Sequence, residues 1–153
     1  MEKFVHRSIR LYCNLLEAYR MFTIEEKLKL WLSENILIDK ENFEIEINHN
    51  SFKINTSDSI ITKKEYERKI IINWIEKEKN INSEVEINFM TCSARAVNCV
   101  EIHLIHRNLD KKYMNFYNVF WKESLESLRY YFNKDWVIQD GDLTLTKLTG
   151  RSL

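Results

Sequence analysis

Residues 110–133 read DKKYMNFYNVFWKESLESLRYYFN, and their spacing decides the fold. Tyr117, Trp121, Leu125, Leu128 and Phe132 follow one another at intervals of four, four, three and four, which places them on one face of a 3.6-residue helix. Tyr113, Phe116 and Phe120 widen that stripe through its first half, while Lys111, Lys112, Lys122, Glu123, Glu126 and Arg129 fall largely off it. Asn108 or Asp110 can cap the first amides, and nothing in the span is Gly or Pro. At about 1.5 Å per residue such a helix runs about 35 Å, enough to cross a small domain. So wide an apolar face needs a broad partner surface.

Working back from that helix, the chain supplies one. Val100, Ile102 and Leu104 alternate with Cys99, Glu101 and His103 over 98–106, and Val85, Ile87 and Phe89 alternate with Glu84, Glu86 and Asn88 over 84–92. This is half-buried strand periodicity. Pairing the two apolar faces gives a hairpin with Phe89 opposite Ile102, Cys92 opposite Cys99, and Ser93–Val97 near the loop. KIIINWIE at 69–76 reads as a more buried strand, followed by a polar connection over 77–82. Phe43, Ile45 and Ile47 alternate with Glu44, Glu46 and Asn48, and His49-Asn50 can turn the chain into Phe52 and Ile54. Residues 57–66 read mostly as loop, with a short strand around Ile60.

At the start, residues 4–13 read as a strand whose inner face carries Val5, Ile9, Leu11 and Cys13, with Arg7 as the exception. Two capping boxes follow, Asn14 with Glu17 and Thr23 with Glu26, and predict short helices near 15–22 and 24–33. After the long helix, WVIQDGDLTLTKL sets an Asp-Gly turn between short apolar stretches, a hairpin signal, with a frayed tail as the competing reading. The order is one strand, two short helices, a run of about five or six antiparallel strands and one long helix, with about six strands in the sheet. It implies an α+β layer in which a curved sheet wraps the long C-terminal helix. Residues 1–135 make the domain and 136–153 a tail.

Bulk composition narrows the function. With 153 residues, 44% of them hydrophobic and 30% charged, the chain suits one soluble domain with a real core. Lys+Arg and Asp+Glu balance at 23 each, which gives no support for nucleic acid or an anionic membrane as partner. MEKFVHRSIR lacks a signal-peptide apolar core, and no run approaches the ~20 apolar residues of a membrane span. The expected compartment is the cytoplasm, where the three cysteines would be free thiols. There is no Pro and only two Gly, so Asn and Asp must make turns that those residues usually make.

Three stretches carry a resemblance. AYRMFTIEEKLKLWL at 18–32 holds Tyr19, Thr23, Glu26, Leu28 and Trp31. RKIIINWIE and SEVEINF hold a strand ending near Trp74 and the next strand opening Ser-x-Val. Trp121, Leu125, Leu128 and Phe132 stand in the last helix. In this order they resemble the helix-grip fold of the SRPBCC (START-like) superfamily, in particular bacterial homologues of the activator of the Hsp-ninety ATPase, over about residues 3–134. Departures are Cys13-Asn14 where the family usually has Ala-Pro, residues 40–42 without the usual Gly pair, and Phe120 where a Gly often precedes the helix Trp.

No P-loop, G-x-S-x-G or H-E-x-x-H is present, and no nucleophile–base pair stands out, so no catalytic residue is assigned. Cys99, Glu101 and His103 share a strand face but fall short of a closed four-ligand site, so no metal or other cofactor is assigned. His6 and His106 read as ordinary satisfied or exposed histidines. Arg7 needs a carboxylate, a water-filled space or a ligand, because a guanidinium does not stay buried unpaired. In a helix-grip fold, Trp31, Trp74, Phe89, Tyr113, Tyr117, Phe120 and Trp121 surround the space between sheet and helix. With Arg7 they are the candidate ligand-binding residues.

The resemblance implies a non-enzymatic protein that holds a lipid-like or aromatic molecule in that space. The alternative is a co-chaperone-type interaction module with a filled core, partnered by a chaperone or another protein. A cyclase- or hydrolase-type enzyme is a third reading, and the tail hairpin makes a homodimer conceivable.

Overall fold

The computed structural model describes residues 4–49, 52–94, 97–134, 136–138 and 145–147. The elements run β1 (Phe4–Leu11), α1 (Leu15–Thr23), α2 (Glu25–Leu28), β2 (Asn35–Asp39), β3 (Asn42–His49), β4 (Phe52–Asn55), β5 (Ile60–Glu65), β6 (Lys69–Glu76), a 3₁₀ turn (Lys77–Lys79), β7 (Ile81–Ala94), β8 (Val97–Arg107) and α3 (Lys111–Asn133). A separate antiparallel pair, β9 (Trp136–Ile138) with β10 (Leu145–Lys147), follows. The Asp-Gly turn expected between them lies outside the described residues.

The first eight strands form one antiparallel sheet in the order β1-β8-β7-β6-β5-β3-β2, with β4 also on β3. Eight strands stand where about six were expected: β2 was not anticipated, and β5 runs well beyond the short strand expected around Ile60. β5 has the pattern of a mostly exposed, polar strand, so apolar periodicity does not mark it. Its backbone is held by β6, with a register shift between Ile61 and Lys63. β2 pairs with β3 across a tight turn at Lys40, whose φ is 57°.

The turns show what a chain without Pro does. Asn80 and Asn108 take left-handed backbone as expected, but so do Lys40 and Glu67. Side chains with a Cβ cost about 1 kcal/mol or more there, so the flanking ladders impose these turns.

The β7–β8 register is the predicted one, with Phe89 opposite Ile102 and Cys92 opposite Cys99. The free thiols expected for that last pair are corrected: Cys92 and Cys99 form a disulfide, their Cα atoms 5.0 Å apart. An antiparallel ladder brings two Cα atoms within bridging range, a local term that a compartment argument ignores. Cys13 is free and buried, and burial pushes its thiol up to about 12.

The capping box at Asn14 and Glu17 forms in both directions, at 2.8 and 3.2 Å. The second box does not. Thr23 instead donates to the Tyr19 carbonyl at 3.0 Å, and α2 ends at Leu28, well short of 33. Glu25 is diverted to the edge strand, where its carboxylate accepts the Ile38 amide at 2.8 Å.

Tyr117, Trp121, Leu125 and Leu128 of α3 are buried as the spacing requires, with Phe120 beside them. Phe132 is half-buried. They meet the inner side chains of the sheet, among them Val85, Ile87, Val100, Ile102 and Leu104, in one core. Arg7 of β1 finds a neutral partner: its Nε donates to Asn118 Oδ1 of α3 at 3.0 Å. Asn133, at the end of α3, bonds the edge of β1 like a strand residue. Its amide donates to the Arg10 carbonyl at 2.9 Å and accepts the Tyr12 amide at 3.0 Å. That covers an otherwise open sheet edge.

Candidate functional site

The space between sheet and α3 is where the candidate ligand-binding residues are expected to meet. β6 brings Trp74 and Glu76 to its inner face, β7 brings Ser83, β8 brings His106, and α3 brings Tyr117, Phe120 and Trp121. All seven are buried. Their rings interlock. Centroids lie 4.5 Å apart for His106 and Tyr117, 4.8 Å for Phe120 and Trp121, 5.4 Å for Trp74 and Trp121, and 6.1 Å for Trp74 and Tyr117. The pairs are edge-to-face, the arrangement aromatic quadrupoles favour.

Polar groups thread this aromatic mass in two chains. In the first, Trp121 Nε1 donates to His106 Nδ1 at 3.0 Å. The proton of a neutral imidazole is therefore on Nε2, which faces Ser83 Oγ at 2.7 Å. Ser83 in turn donates to the Trp74 carbonyl at 3.0 Å. His106 is 0% exposed, and burial alone drives it down to about 3. It is a neutral histidine with both nitrogens used.

In the second chain, Trp74 Nε1 donates to Tyr117 Oη at 2.9 Å, and Tyr117 donates to Glu76 Oε2. Lys79 Nζ donates to Glu76 Oε1 at 2.9 Å and also to the Lys53 carbonyl. Glu76 is 2% exposed, and desolvation raises its pKa despite these donors, chiefly the Lys79 ammonium. A surface pocket of about 190 Å³ reaches this carboxylate, walled by Glu46, Ile47, Lys53, Ile54, Glu76 and Lys79 among others.

The first chain is not arranged as a nucleophilic serine. A serine activated by histidine needs the imidazole lone pair toward its hydroxyl, whereas Nε2 of His106 presents a proton to Ser83. Among the described residues no group of three or more His, Cys, Asp and Glu side chains is placed to hold a metal.

Of the eight ligand-site candidates, the structure gathers four, Trp74, Tyr117, Phe120 and Trp121. Trp31 and Phe89 belong to a second cluster under α1. Trp31 packs on Phe22 at 4.9 Å and donates to the Met21 carbonyl at 2.9 Å, and Phe89 meets Tyr19 and Phe22 at 5.5 and 5.4 Å. Tyr113 is half-buried, its hydroxyl on the Lys79 carbonyl at 3.3 Å. Arg7 is held at Asn118. Glu76 was missed, although it stands two residues after Trp74 in the alternation Ile70, Ile72, Trp74, which points it inward. His106 carried the same signal after Ile102 and Leu104.

No family model matches the chain, and no curated protein matches it by sequence. Solved structures do match in shape. The solution structure of the Aha1 dimer from Colwellia psychrerythraea aligns with a TM-score of 0.68 and 16% identity, over 84% of this chain and 95% of that one. CalU16 from Micromonospora echinospora gives 0.67 and 17% over 88% and 84%. An HSP90 activator from Plasmodium falciparum gives 0.62 and 16% over 84% and 95%. At such identities the likeness is one of fold. The curved antiparallel sheet with a long C-terminal helix packed on it is the helix-grip fold expected from the sequence, and these structures share it.

Proposed function

We propose that the chain is a non-catalytic protein-interaction module of co-chaperone type, with an Hsp90-class chaperone as its first candidate partner. The observation that supports this is the filled groove. Trp74, Tyr117, Phe120 and Trp121 occupy the space a guest would need, and hydrogen bonds from both indoles and the phenol fix them there. Displacing such rings costs both packing and satisfied polar groups, which leaves the surface to do the binding. Two of the fold neighbours are an HSP90 activator and an Aha1 dimer. Residues 1–135 form the interacting unit in this reading, and 136–153 an appended tail available to a second copy.

The test is to add the full chain to a bacterial Hsp90-class chaperone and measure its ATPase rate alongside direct binding. Saturable binding with a changed rate is the expected result. Absence of both at tens of micromolar protein defeats the reading.

A second reading, a hydrophobic small molecule held by Arg7, Trp31, Trp74, Phe89, Tyr113, Tyr117, Phe120 and Trp121, has one observation in its favour. The Glu76 pocket meets the polar chain that runs through Tyr117 into the aromatic mass, so entry requires only that Lys79 and the rings move. Native mass spectrometry decides it. A co-purified mass of a few hundred daltons, lost in Tyr117→Trp, would replace the interaction reading with this one.

A further inference from the structure

We propose that His6 and His103 form a two-histidine site for a borderline divalent transition-metal ion, zinc(II) or copper(II), on the outer face of the sheet. The site lies outside the groove and is independent of the interaction reading. In the β1–β8 ladder His6 pairs with Ile105 and Ser8 with His103, so the two histidines sit diagonally on neighbouring strands. His6 Nε2 and His103 Nδ1 converge at 3.0 Å with their rings stacked 5.3 Å apart. Cis ligands at about 2.0–2.1 Å from a metal are separated by about 2.9 Å at square-planar and about 3.4 Å at tetrahedral angles. The observed separation already falls in that span.

The second argument is the partner behind His103. Its Nε2 stands 2.8 Å from Glu101 Oε1, and a carboxylate accepts only, so Nε2 carries the proton and Nδ1 presents its lone pair toward His6. A histidine whose far nitrogen donates to a carboxylate is the arrangement that orients metal-binding imidazoles and raises their basicity. Arg10 holds the same carboxylate from its other side at 3.9 Å.

Without a metal, His6 Nε2–H donates to His103. With one, the His6 proton moves from Nε2 to Nδ1 by exchange with water, and the ring stays neutral. Two lone pairs then face the ion, no bond is oxidised or reduced, and water fills the remaining positions. Imidazole nitrogen selects zinc, copper or nickel over the hard cations magnesium and calcium, which prefer oxygen. On the strand face Cys99, Glu101, His103, the Glu101 carboxylate is spent on the far nitrogen of His103. The second ligand comes from the neighbouring strand, and Cys99 is bonded to Cys92.

Isothermal titration of the intact protein with zinc chloride, copper(II) chloride and magnesium chloride tests the site, with ¹⁵N-resolved NMR of the imidazoles of the unaltered chain. The expected result is one zinc or copper ion per chain and no magnesium heat. His6→Gln and His103→Gln should each weaken binding at least tenfold, and Glu101→Gln about tenfold, with far-UV circular dichroism unchanged. His103 Nδ1 and His6 Nε2 should shift with metal while both His106 nitrogens stay put. No saturable binding of zinc or copper up to millimolar concentration overturns the proposal. So does a His6→Gln/His103→Gln double variant that binds as the parent does, or metal-induced shifts confined to other histidines.

Discussion

The two faces of β8 put the same side chain to opposite uses three residues apart. On the inner face His106 is fully buried, takes a hydrogen bond from Trp121, faces Ser83 with its other nitrogen, and is held neutral by desolvation. On the outer face His103 also has both nitrogens engaged, but by Glu101 and a second histidine, and it meets solvent. The hydrogen-bond count is equal and the environment is not. Inside, each bond removes a group that water cannot reach, so losing one leaves an orphaned donor. Outside, water replaces whatever partner is lost. The inner histidine is therefore a structural member, and the outer one is free to change partner.

The largest effect that sharpens this contrast is on stability. His106→Ala strands the Trp121 indole, takes away the proton that the Ser83 oxygen accepts and leaves a cavity, and should cost about 3–4 kcal/mol in urea denaturation. A cost below about 1 kcal/mol would break the comparison. Next comes pH. An unfolded histidine takes up a proton near 6.5 while folded His106 resists it to about 3, so its contribution is complete above 6.5 and is lost as pH falls through that window. The slope is at most about 1.4 kcal/mol per pH unit. Denaturation midpoints from pH 7 to 4 should show this loss in the parent and lack it in His106→Gln.

Glu76 sharpens the contrast from the opposite direction. Its raised pKa means the folded state keeps a proton that the unfolded chain releases, so its contribution declines as pH rises above the ordinary carboxylate value of 4.5. Glu76→Gln should therefore steepen the acid loss seen in the parent. Tyr117→Phe, which removes the hydroxyl joining Trp74 to Glu76, should cost about 1–2 kcal/mol at neutral pH. The smallest effect belongs outside. His6→Gln and His103→Gln should each stay within about 0.5 kcal/mol of the parent by the same denaturation assay.

How much of this was legible depended on whether burial was one-sided. β6, β7 and β8 have one wet and one dry face, so Val85, Ile87 and Phe89 against Glu84, Glu86 and Asn88 announced both strand and register. The α3 stripe did the same at helical spacing. β5 buries little, and in the five-residue edge strand β2 the exposed Leu37 between inward Ile36 and Ile38 makes an apolar run that masks the alternation. α2 was overextended because Glu26 suggested a cap, whereas Thr23 bonds back into α1 at Tyr19 and Glu25 reaches across to Ile38. The candidate site divided along the same line. Aromatics on α3 and β6 met as their faces required. Trp31 and Phe89 were taken by α1, whose packing direction no local pattern encodes. Glu76 and His106 followed the inward phase of their strands, but a charged or polar residue at an inward position reads as an interruption until its partners are known.

The clasp of Asn133 on Arg10 and Tyr12, with Arg7 on Asn118, has a consequence for biosynthesis. It joins partners more than 110 residues apart, the first strand to the last long helix. A ribosome releases β1 long before α3 exists, so during most of translation one edge of the sheet and the part of its inner face that α3 covers stay open. Native closure waits for the final helix to clear the exit tunnel. For this chain the hazardous interval is set by elongation speed over residues 12 to 133, and slow codons in that stretch should prolong the nascent chain's dependence on chaperones that shield apolar surface.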